Sequence, residues 1–160
     1  MKLHIVTVGH KPPDWAAAGF EEYARRMPRS ARIELTEIKP APRGRQTPSE
    51  ASVVRVLAEE KTRIVAAIPS GCVKIALDER GKQLSTAELA RRLDGWMQGG
   101  RDVAFVIGSA DGLDRELKKG ADLQLSLSAL TFPHALVRVL LAEQLYRAVS
   151  LIQNHPYHRD

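Results

Sequence analysis

The stretch DVAFVIGSADGLDRELKKGADLQLSLS, residues 102–128, decides what kind of fold the chain adopts. DVAFVIG (102–108) is a short apolar run closed by glycine, the pattern of a strand buried on both faces. GSADG (108–112) reads as a turn, LDRELKKG (113–120) as a short helix, and DLQLSLS (122–128) as another strand. Strands joined through a helical crossover run parallel. The same alternation extends outward in both directions. CVKIALD (72–78) reads as a strand, and Ser85 with Glu88 forms a capping box opening STAELARRLDGWMQ, whose Leu89, Leu93, Trp96 and Met97 share one face. LHIVTV (3–8) and RIELTEI (32–38) read as strands around a helix over 13–27, with Trp15, Ala18, Tyr23 and Met27 available to its inner stripe. KPAPRGRQ (39–46) must be a loop. Thr47 before Pro48, with Glu50 three positions on, predicts a helix N-terminus there and a helix reaching about Ala67. HALVRVLLAEQLYRAVSLI (134–152) predicts a long apolar helix. Together these imply an α/β fold: one domain over 1–160, with a mainly parallel sheet and helices on both faces.

With 160 residues, 44% of them hydrophobic and 27% charged, the chain has the composition of a soluble globular domain. Its one cysteine, Cys72, excludes an intrachain disulfide and reads as a small core residue. No apolar run is long enough to cross a bilayer or to serve as a signal peptide, so a cytoplasmic location without membrane contact is expected. The formal net charge is +5, and an excess of the same size lies between Arg25 and Arg45. That window, with Arg25, Arg26, Arg43 and Arg45 as candidate phosphate contacts, suits a polyanion such as RNA as well as it suits a solvated basic face.

In open α/β sheets, ligands bind beyond the carboxyl ends of the strands. Leu77, GSADG (108–112) and SLSALTFPH (126–134) meet there. Gly108 and Gly112 permit close approach of backbone to a ligand, and Ser126, Ser128 and Thr131 add small hydroxyls, a combination that suits a nucleoside-like cofactor. The second and third glycines of a GxGxxG fingerprint are missing, which argues against a dinucleotide. Arg138 follows His134 by four positions and sits within LVRVLLA, where a charge needs solvent or a partner. Glu143 and Arg147 read as a surface ion pair. The closing NHPYHRD (154–160) is either polar filler or a segment held in place. Its two histidines make a poor preformed metal site, and no other metal-ligand spacing occurs, so no metal is expected.

SLSALTFPHALVRVLLAEQLYRAVSLIQNHPYHRD (126–160), together with the opening MKLHIVTVGHKPPDW…GFEEYARR and with RDVAFVIG…GL, resembles the RlmH family of SPOUT-class methyltransferases over almost the whole chain. The resemblance implies a C-terminal trefoil knot, S-adenosylmethionine as cofactor and a homodimer. It also implies methylation at N3 of a pseudouridine in 23S large-subunit ribosomal RNA; assembled ribosomes are expected as substrate because a chain this short must draw on folded ribosome surface for recognition. Cofactor contacts are implied for Leu77, Gly108 and the run Leu127, Ser128, Ala129, Leu130, Thr131 and Phe132. Ser109-Ala110-Asp111 stands where the family usually has Gly-Pro-Glu, and Phe132 where it has leucine. The tail becomes part of the active site: His155 and Arg159 face RNA, and Tyr157 stacks on or hydrogen-bonds to the target base. The target nitrogen is an imide N–H that must lose its proton, and His158 is the candidate to accept it or to orient the group that does. Arg138 or Arg159 is the candidate to stabilise developing negative charge or to anchor a phosphate. Two other functions suit the same residues: a non-catalytic RNA-binding assembly factor, and a methyltransferase of this class acting on transfer RNA.

Overall fold

Apolar side chains placed at alternate positions on buried strands must find cover on both sides, and the elements are arranged to supply it. The computed structural model describes residues 1–45 and 47–159, with side chains as far as Tyr157. The strands are β1 (Lys2–Val8), β2 (Arg32–Ile38), β3 (Val73–Gln83), β4 (Val103–Ile107) and β5 (Leu123–Ser126). The helices are α1 (Asp14–Ala24), α2 (Glu50–Ala67), α3 (Thr86–Gln98), α4 (Arg115–Lys119) and α5 (His134–Ile152), followed by a 3-10 turn, Pro156–Arg159. The five strands form one sheet in the order β2-β1-β4-β3-β5, and every pairing is parallel.

Leu3, Ile5, Ile75 and Phe105 point to one face and pack with Phe20 of α1, Leu93 of α3 and Leu141 of α5. Val6, Val8, Ala76 and Val106 point to the other and pack with Ile64 of α2 and Leu113 before α4. The central strand β4 is buried at every residue, as its uninterrupted apolar sequence requires. The capping box at Ser85 forms as expected: Ser85 Oγ accepts the Glu88 N–H at 3.1 Å, and the Glu88 carboxylate accepts the Ser85 N–H at 2.7 Å.

Three local expectations are corrected. The buried stripe of α1 is Ala16 and Phe20, with Tyr23 and Met27 partly covered, whereas Trp15 is 57% exposed and Ala18 is exposed too. Close contact with α5 at Gly19 sets this rotation, since a Cβ there would lie 3.2 Å from Val139. Helix α2 is capped by Ser49, not Thr47: Ser49 Oγ accepts the Ser52 N–H at 3.1 Å and Ser52 Oγ accepts the Ser49 N–H at 2.9 Å. This reciprocal serine pair satisfies the terminal donors that Thr47 and Glu50 would otherwise have served.

Strand β3 does not stop at Asp78. Leu77 and Lys82 both pair with Leu125, so residues 78–81 loop out between them as a bulge, and the strand resumes to Gln83. The bulge is pressed against β5 at Gly81, where a Cβ would lie 2.7 Å from the backbone carbonyl of Gln124. Only glycine allows that approach. Gly81→Ala is therefore expected to cost about 1–3 kcal/mol, the usual range for overpacking. Gly44→Ala, with nothing within 4 Å of the added carbon, serves as the comparison. Thermal unfolding of both variants checks this, and equal midpoints would contradict the close contact.

Candidate functional site

Because all strands run parallel, the ends of β3, β4 and β5 open at the same edge of the sheet, and the segments leaving them enclose a cleft of about 460 Å³. Its size is that of a site for a small organic molecule. Apolar walls come from Leu77, Ile107, Leu125, Leu127, Phe132 and Val137. Polar groups come from the bulge Asp78–Arg80, the turn Gly108–Gly112, and Ser128 and Thr131. Of the cofactor residues expected from sequence, Leu77, Gly108, Leu127, Ser128, Leu130, Thr131 and Phe132 all line this cleft. Ala129 belongs to the same segment but is exposed and not part of the wall.

Hydrogen bonds hold the cleft in shape. Ser126 Oγ donates to the Ser128 carbonyl at 2.8 Å, and the Leu130 N–H donates to Ser128 Oγ at 3.0 Å, which folds the segment after β5 back over the cleft. Thr131 Oγ1 donates to Glu79 at 3.1 Å and so joins that segment to the β3 bulge. Gly108 and Gly112 are in backbone contact, for a Cβ on Gly108 would collide with the Gly112 carbonyl, and Gly112 has φ +87°. The Asp78 carboxyl is raised by burial, but the Arg80 N–H and the Lys118 ammonium 3.2 Å away outweigh this and hold it below its usual value. It is a fixed anion on the cleft wall.

His134, the last residue of the expected cleft segment SLSALTFPH (126–134), also lines the cleft. Its ring packs on Gly9, and its Nε2 lies 3.5 Å from Thr7 Oγ1. Burial, with the nearby Arg138 charge, pushes its pKa down against the opposing effect of the Gly108 and Val8 carbonyls, which favours the neutral ring. The charged bulge at 78–80 was the main omission of the sequence reading; its signal was the polar run DERGK (78–82) directly after an apolar strand.

The other expected site residues lie elsewhere. Arg138 is 2% exposed, one position past Val137, and faces a second cleft floored by Ile33 and Leu35. The partner it needs is Glu37, 3.3 Å from Nη1, while its Nε has no hydrogen-bond partner. The basic window divides in two: Arg25 and Arg26 sit past the end of α1, near the start of β2, and Arg43 and Arg45 sit beyond its end. Seven extended residues separate them by roughly 20 Å. Both Arg25 and Arg26 pair with Glu22, and Arg26 also lies over the rings of Tyr23 and Tyr146. Arg43 pairs with Asp111 on the cleft turn at 2.9 Å, and Arg45 is exposed.

The tail is docked. Asn154 takes a left-handed conformation, φ 56°, and the chain closes α5 with a Schellman motif: Asn154 N–H donates to Leu151 O at 3.2 Å and His155 N–H to Ser150 O at 2.8 Å. Asparagine tolerates that conformation better than most residues. Pro156 then starts the 3-10 turn, which brings the Tyr157 ring to 4.6 Å from that of Tyr146 and beneath the Arg147 guanidinium at 4.8 Å. The Tyr157 hydroxyl donates to Glu143 at 3.1 Å, and Glu143 also holds Arg147 at 2.9 Å. The Glu143–Arg147 pair is thus partly buried beneath the tail rather than a plain surface pair. His155 is exposed, with its ring 6.5 Å from Tyr146. The His158 and Arg159 side chains lie outside the described residues. Among the described residues, no group of three or more His, Cys, Asp and Glu side chains could hold a metal ion.

Burial, the Tyr23 hydroxyl and the Glu143 carboxylate push the Tyr157 phenol up to about 12. Its contribution to docking is fully present below the ordinary tyrosine range, near pH 10, and is lost as pH rises through its raised value. Tyr157→Phe is expected to remove from the ultraviolet titration a phenol that ionises near pH 12. Loss of one ionising near 10 would mean that the tail is not docked in solution.

Comparison with known proteins agrees with this geometry. Residues 1–158 match the family described as "Predicted SPOUT methyltransferase". The chain is 60% identical over 159 residues, 99% of each chain, to a protein of Paraburkholderia xenovorans named "Ribosomal RNA large subunit methyltransferase H". A protein of the same name from Burkholderia vietnamiensis is 59% identical over the same share of each chain. Among solved structures, a "probable methylase family protein" from Haemophilus influenzae shares the fold at TM-score 0.53 and 16% identity, over 98% of this chain and 69% of that one. The strand-end cleft, the parallel sheet and near full-length identity to these relatives converge, and the chain belongs to the SPOUT methyltransferases, in the RlmH family.

Proposed function

We propose that the protein is an S-adenosylmethionine-dependent methyltransferase that modifies N3 of a pseudouridine in 23S large-subunit ribosomal RNA, acting on assembled ribosomes as a cytoplasmic homodimer. The observation that carries this reading is 60% identity, end to end, to relatives named as large-subunit ribosomal RNA methyltransferases. The cleft fits the cofactor by its volume and its groups: apolar walls for a purine, small hydroxyls and backbone for a ribose, and the ionised Asp78 for the positive charge. Bound there, S-adenosylmethionine supplies an electrophilic methyl group on a sulfonium. Leu127, Ser128, Thr131 and Phe132 bind and orient it, and Leu130, 71% exposed at the rim, screens the cleft from water.

Helix α5 links this cleft to the tail and also separates the two. His134 stands at its start and the tail follows its end; nineteen residues span roughly 28 Å. A tail that distant reaches a methyl donor only in another protomer's cleft, which supports the homodimer. The apolar surface of α5 supports it too. Its sequence is apolar on nearly all sides, the pattern of an enclosed helix, yet Leu136 and Leu140 are only partly covered. Arg25 and Arg26 lie at the tail end of the molecule, so a two-fold arrangement carries them to the partner's cleft together with His155, Tyr157, His158 and Arg159.

In this arrangement His158 accepts the N3 proton or orients the group that does. Tyr157, whose hydroxyl hydrogen is held by Glu143, offers its ring to stack on the target base. Arg138 faces the second cleft, and of the two roles open to it this favours anchoring an RNA phosphate. Arg45, at the edge where the cofactor cleft opens, contacts phosphate as well.

Transfer of labelled methyl groups to ribosomes lacking the modification tests the reading. Truncation after Gln153 is expected to cut the rate by about 10²–10⁴-fold, the range for a lost acid–base group, with cofactor affinity retained. Undiminished transfer by the truncated chain would return the tail to filler. Transfer to transfer RNA instead of ribosomes would reassign the substrate, and no transfer from an intact chain would favour the assembly factor. Full turnover by His158→Ala at saturating substrate would exclude His158 as an essential base.

A further inference from the structure

One buried carboxylate in the molecule takes no part in the reading above. Glu60, on α2, is 2% exposed. Its Oε1 accepts the Ser109 hydroxyl at 2.7 Å, and its Oε2 accepts the Ala41 backbone N–H at 3.0 Å and Arg43 Nη1 at 3.4 Å. Arg43 completes the circuit, donating from Nη2 to Ser109 Oγ at 2.9 Å and from Nε to Asp111 Oδ2 at 2.9 Å. A carboxylate so deeply buried is costly unless its lone pairs are used. Here they help tie helix α2 and the Pro-rich loop after β2 to the turn after β4, across 49 to 68 residues of sequence.

The turn in question forms a wall of the cleft, with both Ser109 and Asp111 in the lining. Its own backbone contributes the Gly112 N–H to Ser109 carbonyl bond at 2.9 Å. The side-chain network adds to this from outside the cleft, behind the ligand's position. A guanidinium with 35% of its side-chain surface exposed that already serves Asp111, Ser109 and Glu60 has few donors left for a phosphate.

We propose that Arg43 and Glu60 are positioning residues for the methyl-donor cleft: they fix the Ser109–Asp111 turn in its binding shape, and Arg43 serves the donor rather than the RNA. This rests on the donor reading of the cleft. The network orders the turn before ligand arrives, so the donor does not have to meet that cost on binding. Without it the turn must be ordered at the expense of affinity, while the groups that act on the RNA are untouched.

Calorimetric titration of the whole chain with S-adenosylmethionine, and with S-adenosylhomocysteine as an unreactive probe, tests this without RNA or turnover. Loss of a charged, partly buried hydrogen-bonded group predicts about a tenfold weaker donor affinity for Arg43→Ala, and Ser109→Ala, which removes a neutral donor, about threefold. The double variant is expected to lose less than the product of the two, because the residues share one network. Arg55→Ala, which removes an exposed cation from the same helix as Glu60, leaves affinity unchanged. The salt dependence of ribosome binding is expected to be the same for Arg43→Ala as for the unaltered chain. Unchanged donor affinity in both Arg43→Ala and Ser109→Ala, or a salt slope reduced by about one in Arg43→Ala, would overturn the proposal and give Arg43 back to the RNA. An unaltered chain that gives no heat with either probe overturns the donor reading itself, and with it this one.

Discussion

Every strand of the sheet points the same way, and the remaining architecture follows from that constraint. Parallel strands place all their carboxyl ends at one edge, so the three segments that leave β3, β4 and β5 have to share the space above it. The cleft is that shared space. What gives it a definite shape is close backbone contact: the β3 bulge on β5 at Gly81, and the two ends of the β4 turn on each other at Gly108 and Gly112. His134 adds a tie at the same edge, its ring, with its pKa held down by burial, lying against the ends of β1 and β4. Acidification works against this tie. A histidine with a depressed pKa contributes fully above the ordinary histidine range and loses that contribution as pH falls through its lowered value.

Polar groups in the interior follow the same economy of place. Arg138 and Glu60 are both 2% exposed, and each bridges two elements. Arg138 joins α5 to the end of β2 through Glu37, and Glu60 joins α2 to the cleft turn. Removing one partner from such a group leaves a buried charge uncompensated, which costs more than the pair contributes while intact. These positions therefore tolerate substitution poorly even where no ligand touches them.

Much of this was legible in the chain. Continuous apolar runs, alternation and period-3.6 patterns give all five strands and all five helices, because strands covered on both faces read as uninterrupted apolar segments and few apolar residues are committed elsewhere. The faces and ends of elements were harder. The orientation of α1 depends on how close α5 comes at Gly19, and the cap of α2 on a serine pair that competes with Thr47; both are settled by contacts that a local pattern does not contain. The cleft loops could be placed from topology, but the bulge at 78–81 could not, since a charged run after a strand looks like an exit rather than a detour. The tail's docking is visible only in retrospect: Asn154 is the residue suited to a left-handed helix end, and Tyr157 finds Glu143 fourteen residues back along the helix. A C-terminal knot is an expectation that no residue pattern carries, because rules of chain topology disfavour threading; it rests on family resemblance alone.

The sheet order also bears on how the chain is made. Strand β1 lies between β2 and β4, and its second neighbour comes about a hundred residues later, with the Lys2 N–H bonded to Asp102 across that interval. During synthesis from the N-terminus, β1 and β2 can pair early, but the other side of β1, one of the most apolar strands, stays an open edge until β4 emerges. Such an edge is a template for pairing with the wrong chain. The long wait makes folding slow relative to a protein of local contacts, and the nascent chain is most vulnerable to aggregation between the completion of β2 and the arrival of β4.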